Sequence, residues 1–245
     1  MSVRDIFKNL HEAFAKPAAC DPALGPVTGE DGIARASREW QPKQARRRVE
    51  VMVTGDPSRV GVVADAVDKF QAQIFGGAPG PGNLELRITG FLDGCIHRSK
   101  WSKKPFKAAA QARKWHCEQS RTTFASAFQE SADESVDAIV MVGHRFDDDV
   151  AEALRQAEKL KEQGVPVHCF HTGQDEASRE AYEKLAHATG GVFMQLADQR
   201  GIAEVMPVIM AHLNDEDQML ALAPEDRDAK NLLRMLLPDG TDRKT

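Results

Sequence analysis

The stretch VDAIVMVGHRFDDDVAEALRQAEKLKEQGVPVHCFHTG, residues 136–173, decides the fold. Ala138–Val142 is a short unbroken apolar run, the pattern of a strand covered on both faces. Val150, Leu154, Ala157 and Leu160 then recur at helical spacing, and Gly164 supplies a stop. Val165–Phe170 reads as a second strand. Two strands joined through a helix run parallel in one sheet, because such a crossover needs a dozen or more residues.

The same alternation extends outward in both directions. Upstream, Val49–Val53 is a strand, and Val60, Val63, Ala64, Val67 and Phe70 follow on one helix face. The segment FGGAPGPGN (75–83) is a loop, Leu84–Leu92 a strand, and 106–118 and 122–131 are helices. Downstream, 175–189 is a helix stopped by Gly190-Gly191, Val192–Leu196 a strand and 201–213 a helix. This order predicts an α/β domain over 47–213, a doubly wound and mostly parallel sheet with helices on both faces.

The flanks differ. Residues 1–16 hold an amphipathic helix with Val3, Ile6, Phe7, Leu10 and Phe14 on one face. Residues 17–46 form a Pro- and Gly-rich linker that closes on Arg46-Arg47-Arg48. Residues 214–245 carry a last amphipathic helix, begun by Pro224 and stopped by Pro238, with Ala229, Leu232, Leu233, Leu236 and Leu237 as its apolar stripe. The stripes at the two ends suit self-association, docking of a partner, or packing back on the domain.

A net charge of -5 argues against wholesale coating of nucleic acid, though a local basic patch remains compatible with it. Cys20, Cys95, Cys117 and Cys169 lie far apart with no CxxC, which suits reduced thiols. The first residues, MSVRDIFKNLHEAF, lack the apolar core of a secretory signal, and no apolar run reaches the ~18 residues of a membrane span. The expectation is a cytoplasmic protein that does not enter membranes.

From 49 to 196 the order of segments resembles a von Willebrand factor A-type domain. SRTTFASAFQE (120–130) is similar to the family's threonine-bearing helix start. Residues 136–173 resemble its strand, acidic loop, helix and strand, and EAYEKLAHATGGVFMQL (180–196) its closing helix, Gly-Gly turn and last strand. The resemblance implies sheet order 3-2-1-4-5-6 and a metal-ion-dependent adhesion site at the carboxyl ends of the strands. That site uses Asp-x-Ser-x-Ser after the first strand, a later Thr, and an Asp after the central strand.

Here the first motif reads Thr54-Gly55-Asp56-Pro57-Ser58, so a threonine stands at the leading acid and only Ser58 matches. Thr122 or Thr123 supplies the threonine, and the last acid falls near Gly143 or His144, with Asp147 displaced. An ion such as Mg²⁺, if held at all, would rest on Asp56, Ser58, Thr122 and Asp147, a poor set for a cation that demands octahedral oxygen ligands. Asp56-Pro57 is better explained as a helix start, with Asp capping free N–H groups and Pro at the first helical position. Asp147-Asp148-Asp149 likewise suits the positive end of a helix.

The resemblance therefore implies a non-catalytic interaction or scaffold domain of bacterial type, with no cofactor and a degenerate metal site. Another protein would bind across the carboxyl edge of the sheet, around Asp56, Ser58, Thr122, Thr123 and Asp147. No GxGxxG after a strand, Walker loop, GxSxG or HExxH occurs, which also speaks against an enzyme. A zinc site from His168, Cys169 and His171 fails on geometry, since alternation sends His168 to the opposite face of a strand. The alternative is a nucleic-acid surface. HRSKWSKKPFK (97–107) interleaves Arg98, Lys100, Lys103 and Lys104 with Trp101, Arg46–Arg48 is a second basic patch, and a solvated loop with one anchored tryptophan would read the same way.

Overall fold

The computed structural model describes residues 47–54, 57–75, 84–92, 95–115, 124–214 and 227–236, all within the unit Pro42–Thr245. The expected N-terminal helix (1–16), the linker (17–46), the 76–83 part of the Gly-Pro loop, Pro224 and the final tail lie outside them.

The described elements run β1 (Arg47–Thr54), α1 (Pro57–Phe75), β2 (Leu84–Leu92), β3 (Cys95–Arg98), α2 (Pro105–Ala112), α3 (Phe124–Asp133), β4 (Ala138–Gly143), α4 (Val150–Glu162), β5 (Val167–His171), α5 (Glu176–Thr189), β6 (Phe193–Gln195), α6 (Arg200–Asn214) and α7 (Arg227–Leu236). The strands form one sheet in the order β3-β2-β1-β4-β5-β6. All neighbours are parallel except β3, which returns antiparallel along β2 with Leu92 opposite Cys95.

Strand alternation divides the sheet into two packed faces. Val49, Val51 and Val53 of β1, with Leu86, Ile88, Val140, Val142 and Phe170, face the cluster that includes α1, α2, α6 and α7. Met52, Phe91, Ile139, Met141, Val167 and Cys169 face the other, under α3, α4 and α5. Both faces are covered, so the central strands read as continuous apolar runs.

Local chemistry sets the helix ends. Asp149 caps α4, its carboxylate accepting from the N–H groups of Ala151 (2.8 Å) and Glu152 (3.2 Å). Asp175 caps α5 through the Ser178 N–H at 2.8 Å. Gly190 closes α5 at φ 74°, a left-handed position that glycine adopts without a Cβ penalty. The start of α1 at Pro57 agrees with proline at the first helical position.

Some elements differ from the expectation or complete it. Cys95–Arg98 is an edge strand to which the sequence reading assigned no element. Helix α2 ends at Ala112 instead of continuing towards 118, and α3 is described from Phe124, the expected start at 122 lying outside the described residues. The strand expected from Val165 starts at Val167. The last helix is described over Arg227–Leu236, its expected start at Pro224 lying outside the described residues, and of the open alternatives for its stripe it packs back on the domain: Ala229 and Leu232 are buried in the same core as α6, with Leu233 and Leu236 against it. Most of that apolar stripe is therefore used inside the fold, and Met235 stays exposed. Among the described residues no helix is long and apolar enough to cross a membrane.

Candidate functional site

In a parallel sheet of this kind, ligands gather beyond the carboxyl ends of the strands, where the order reverses. That point lies here between β1 and β4, at Thr54 and Gly143. Both residues are buried, and the space between them is filled by Tyr182 from α5. The Tyr182 hydroxyl lies 3.0 Å from Thr54 Oγ1 and donates to the Arg145 carbonyl at 3.3 Å. Burial pushes the phenol pKa up, against a smaller lowering from the Thr54 hydrogen bond.

Gly143 shows how tightly the crevice is closed. A Cβ added there would lie 1.9 Å from Thr54 Oγ1 and 2.1 Å from the Tyr182 hydroxyl. One of the two positions at which the family resemblance looks for an acid, Gly143, therefore has no room for a methyl group. Beside it, His171 is fully buried at the end of β5. One ring nitrogen meets Gln195 Oε1 at 2.8 Å and the other the His144 carbonyl at 3.1 Å. Gln195 Nε2 in turn donates to the Gly173 carbonyl at 2.8 Å. The ends of β4, β5 and β6 are thus tied by side-chain hydrogen bonds.

The acidic loop after β4 is also held. Phe146 stacks on Phe124 with ring centroids 4.8 Å apart, and its N–H donates to Ser178 Oγ at 2.8 Å. Asp148 accepts from the Ala125 N–H in the first turn of α3 at 3.2 Å, and Asp149 caps α4. Asp147 is exposed, with Arg145 Nε at 3.8 Å. Ser58 is exposed in the first turn of α1. Ser58 and Asp147 thus both follow central strands at the carboxyl rim, whereas Asp56, Thr122 and Thr123 lie outside the described residues. Among the described residues no three His, Cys, Asp or Glu side chains come together to hold an ion.

The histidine–cysteine run on β5 divides as alternation requires. Cys169 and His171 face α5, and His168 faces α6, its ring 6.2 Å from that of His212. The Cys169 thiol is buried with its pKa pushed up by desolvation, the condition of an unreactive cysteine.

The basic segment is partly drawn inward. Arg98 pairs with Glu50 at 3.4 Å and with Glu130 of α3. Trp101 donates from Nε1 to Glu134 at 3.0 Å, and the Arg87 guanidinium lies 4.4 Å from its ring centroid. Its ring is already stacked, which leaves Lys100, Lys103 and Lys104 as the exposed members of that candidate set.

These partners belong to a buried network that sequence reasoning missed. Glu50 of β1 is 0% exposed, and Arg87 of β2 is 4% exposed. The Glu50 carboxylate accepts from Arg87 Nη2 at 2.7 Å, from Ser131 Oγ of α3 at 2.6 Å and from the Thr89 hydroxyl. Arg87 Nη1 also reaches Glu134 at 2.5 Å. A charge with this much hydrogen bonding tolerates burial. The network fastens α3, which follows the threonine-bearing segment, to the edge of the sheet.

No protein-family model matches the sequence, and no curated protein matches it. Solved structures do resemble it. Proximal thread matrix protein 1 from the mussel byssus aligns at TM-score 0.53 and 12% identity, over 68% of this chain and 48% of that one. The vWF domain of the type V pili tip protein Mfa5 from Porphyromonas gingivalis aligns at TM-score 0.53 and 9% identity, over 69% of this chain and 95% of the other. The pilus adhesin SpaC from Lactobacillus rhamnosus GG aligns at 0.52 and 13%, over 78% and 30%. The aligned region is thus about half of the mussel protein and under a third of the adhesin. At such identities the likeness is one of fold.

Proposed function

Because the chain has a von Willebrand factor A-type fold, we propose that it is a non-catalytic interaction domain whose partner, another protein, docks on the carboxyl rim without a divalent ion. The docking surface comprises Asp56, Ser58, Thr122, Thr123 and Asp147. One observation carries the reading. The crevice between β1 and β4 is closed by Thr54, Gly143 and Tyr182, with no space at Gly143 for a carboxylate. Two further contacts support a metal-independent rim: Thr54 Oγ1 is engaged by Tyr182, and Asp147 lies beside Arg145.

The chemistry of the rim supports contact over catalysis. Both His171 nitrogens have protein partners, and burial raises the Tyr182 phenol and the Cys169 thiol out of the range of a useful base or nucleophile. A matrix protein, a pilus adhesin and a pilus tip protein among the structural neighbours lend the same support.

The test pairs binding with metal. The full chain, immobilised, is expected to retain the same host protein in magnesium and in EDTA, and to lose it when Ser58→Trp and Asp147→Arg are introduced together. Isothermal titration with Mg²⁺ and Mn²⁺ is expected to show no stoichiometric site. Retention that disappears in EDTA, or that survives the rim substitutions, overturns the reading.

A further inference from the structure

The amino ends of β1, β4 and β5 border a cavity of about 380 Å³, at the opposite end of the sheet from the rim. Its apolar wall includes Val49, Ala138 and Leu213, all buried. His168 of β5 and His212 of α6 face it, their rings 6.2 Å apart and edge to face. Arg47 and Asp137 line the same cavity, and both are exposed.

His168 is 4% exposed, and its Nδ1 lies 3.3 Å from the backbone nitrogen of Val192. A backbone N–H only donates, so Nδ1 accepts, and the neutral ring carries its proton on Nε2. Burial, then the neighbouring His212, lowers the His168 pKa from 6.5 to about 4, which keeps the ring neutral at pH 7. Among the described residues Nε2 has no hydrogen-bond partner. Val192 immediately precedes β6, on one side of β5, whereas Val49 and Ala138 belong to β1 and β4 on the other. The Nε2–H is therefore directed away from β6 and into the cavity. A buried donor of this kind calls for an acceptor.

We propose that this cavity binds a small organic monocarboxylate, its oxygens accepting from His168 Nε2–H and the Arg47 guanidinium and its short apolar tail lying against Val49, Ala138 and Leu213. The chemistry of the lining selects that class. A metal ion needs the lone pair of Nε2, and with the Nδ1 lone pair already given to Val192 the ring would have to become an imidazolate. Arg47 Nη1 donates to the Leu213 carbonyl at 3.1 Å, and among the described residues no carboxylate pairs with its guanidinium. Its remaining N–H groups suit the planar oxygen pair of a carboxylate. Asp137, which accepts from the Arg48 N–H at 2.6 Å, repels a multiply charged anion such as phosphate more than a singly charged one. The volume falls within the range of small-molecule sites. This site sits apart from the carboxyl rim and does not depend on the proposed function there.

Isothermal titration of the full chain at pH 7 with sodium butyrate, n-butylamine and inorganic phosphate tests the assignment. Butyrate is expected to bind one to one with a Kd of about 1 mM or tighter, and the other two about tenfold more weakly or not at all. Long-range proton–nitrogen correlation spectra should show His168 protonated at Nε2, and butyrate should shift that nitrogen. Arg47→Gln, at an exposed position that leaves the core intact, and His168→Phe should each weaken butyrate by about ten- to a hundredfold. Circular dichroism unchanged from the parent chain certifies the fold of each variant, and Arg47→Gln with the spectra decides the matter if His168→Phe does not fold. The proposal is overturned if butyrate does not bind, the result of a merely hydrated cavity, or if phosphate or butylamine binds as tightly. It is also overturned if butyrate leaves the His168 Nε2 signal in place, or if Arg47→Gln binds it as the parent does.

Discussion

Replacing Gly143 with alanine tests the closed crevice directly. The new methyl carbon would sit 1.9 Å from Thr54 Oγ1 and 2.1 Å from the Tyr182 hydroxyl, and both side chains are buried with little room to retreat. Overpacking of a dense core typically costs about 1–3 kcal/mol. Two contacts this short place the substitution at the upper end, near ~3 kcal/mol. For a chain of this size each kcal/mol lowers the melting temperature by about 2–4 °C, so a fall of roughly 6–12 °C is expected. Relief should be specific. Tyr182→Phe and Thr54→Ala each cost about 1 kcal/mol through lost hydrogen bonding. Together they remove both colliding oxygens, so adding Gly143→Ala to that pair should cost ~2 kcal/mol less than it does alone. Urea denaturation of the variants measures the coupling. If Gly143→Ala lies within about 0.5 kcal/mol of the parent, or if the effects simply add, the crevice is not closed as described. Gly143→Asp, which puts an acid at one of the two positions the resemblance allows, should be at least as destabilising and should gain no Mg²⁺ affinity by titration calorimetry.

Three more outcomes follow from named groups. Burial, with a further contribution from His212, lowers the His168 pKa from 6.5 to about 4. As pH falls below 6.5 the unfolded chain takes up the proton first, so native stability is lost between 6.5 and 4, by roughly 2–3 kcal/mol at pH 4.5. His168→Asn keeps an acceptor for the Val192 N–H, and it should flatten that window when urea midpoints at pH 7 and pH 4.5 are compared. Glu50→Ala removes the fully buried partner of Arg87, leaving it the half-exposed Glu134, and should cost about 3 kcal/mol by urea denaturation, whereas Glu50→Leu with Arg87→Met should cost clearly less. Asp149→Ala removes the α4 cap and should lower stability by ~1 kcal/mol, with the rest of the melting profile unchanged.

What the sequence revealed and concealed follows the range of the interactions involved. The α/β alternation, the stops at Gly164 and Gly190 and the division of His168 from Cys169 and His171 are set within a few residues, and the structure agrees with them. The order of the sheet came with the family resemblance, and it too agrees. The antiparallel β3 was missed because Cys-Ile-His-Arg has little alternation of its own. A usable signal was present: Leu92 faces Cys95, so Asp93-Gly94 separates the paired residues, and that dipeptide favours two-residue hairpins. The basic segment misled for the opposite reason. Its residues look solvent-facing until Glu130 and Glu134, more than thirty positions away, take up Arg98 and Trp101.

Glu50 and Thr54 show why the rim itself resisted prediction. They lie four positions apart on β1, both pointing to the face covered by α3 and α5, and either would pass for the polar side of a half-exposed strand. Their partners are 37 to 128 residues distant, so no local pattern betrays them. Yet they act on the same region. Glu50 holds α3 through Ser131, and the first turn of α3 meets the acidic loop where Asp148 accepts from Ala125. Thr54 holds Tyr182, whose hydroxyl donates to that loop at Arg145. Two polar side chains of one strand thus brace the helix on one side of the rim and the loop on the other, using hydrogen bonds alone. A partner docking as proposed above would meet this helix and this loop already tied to one strand.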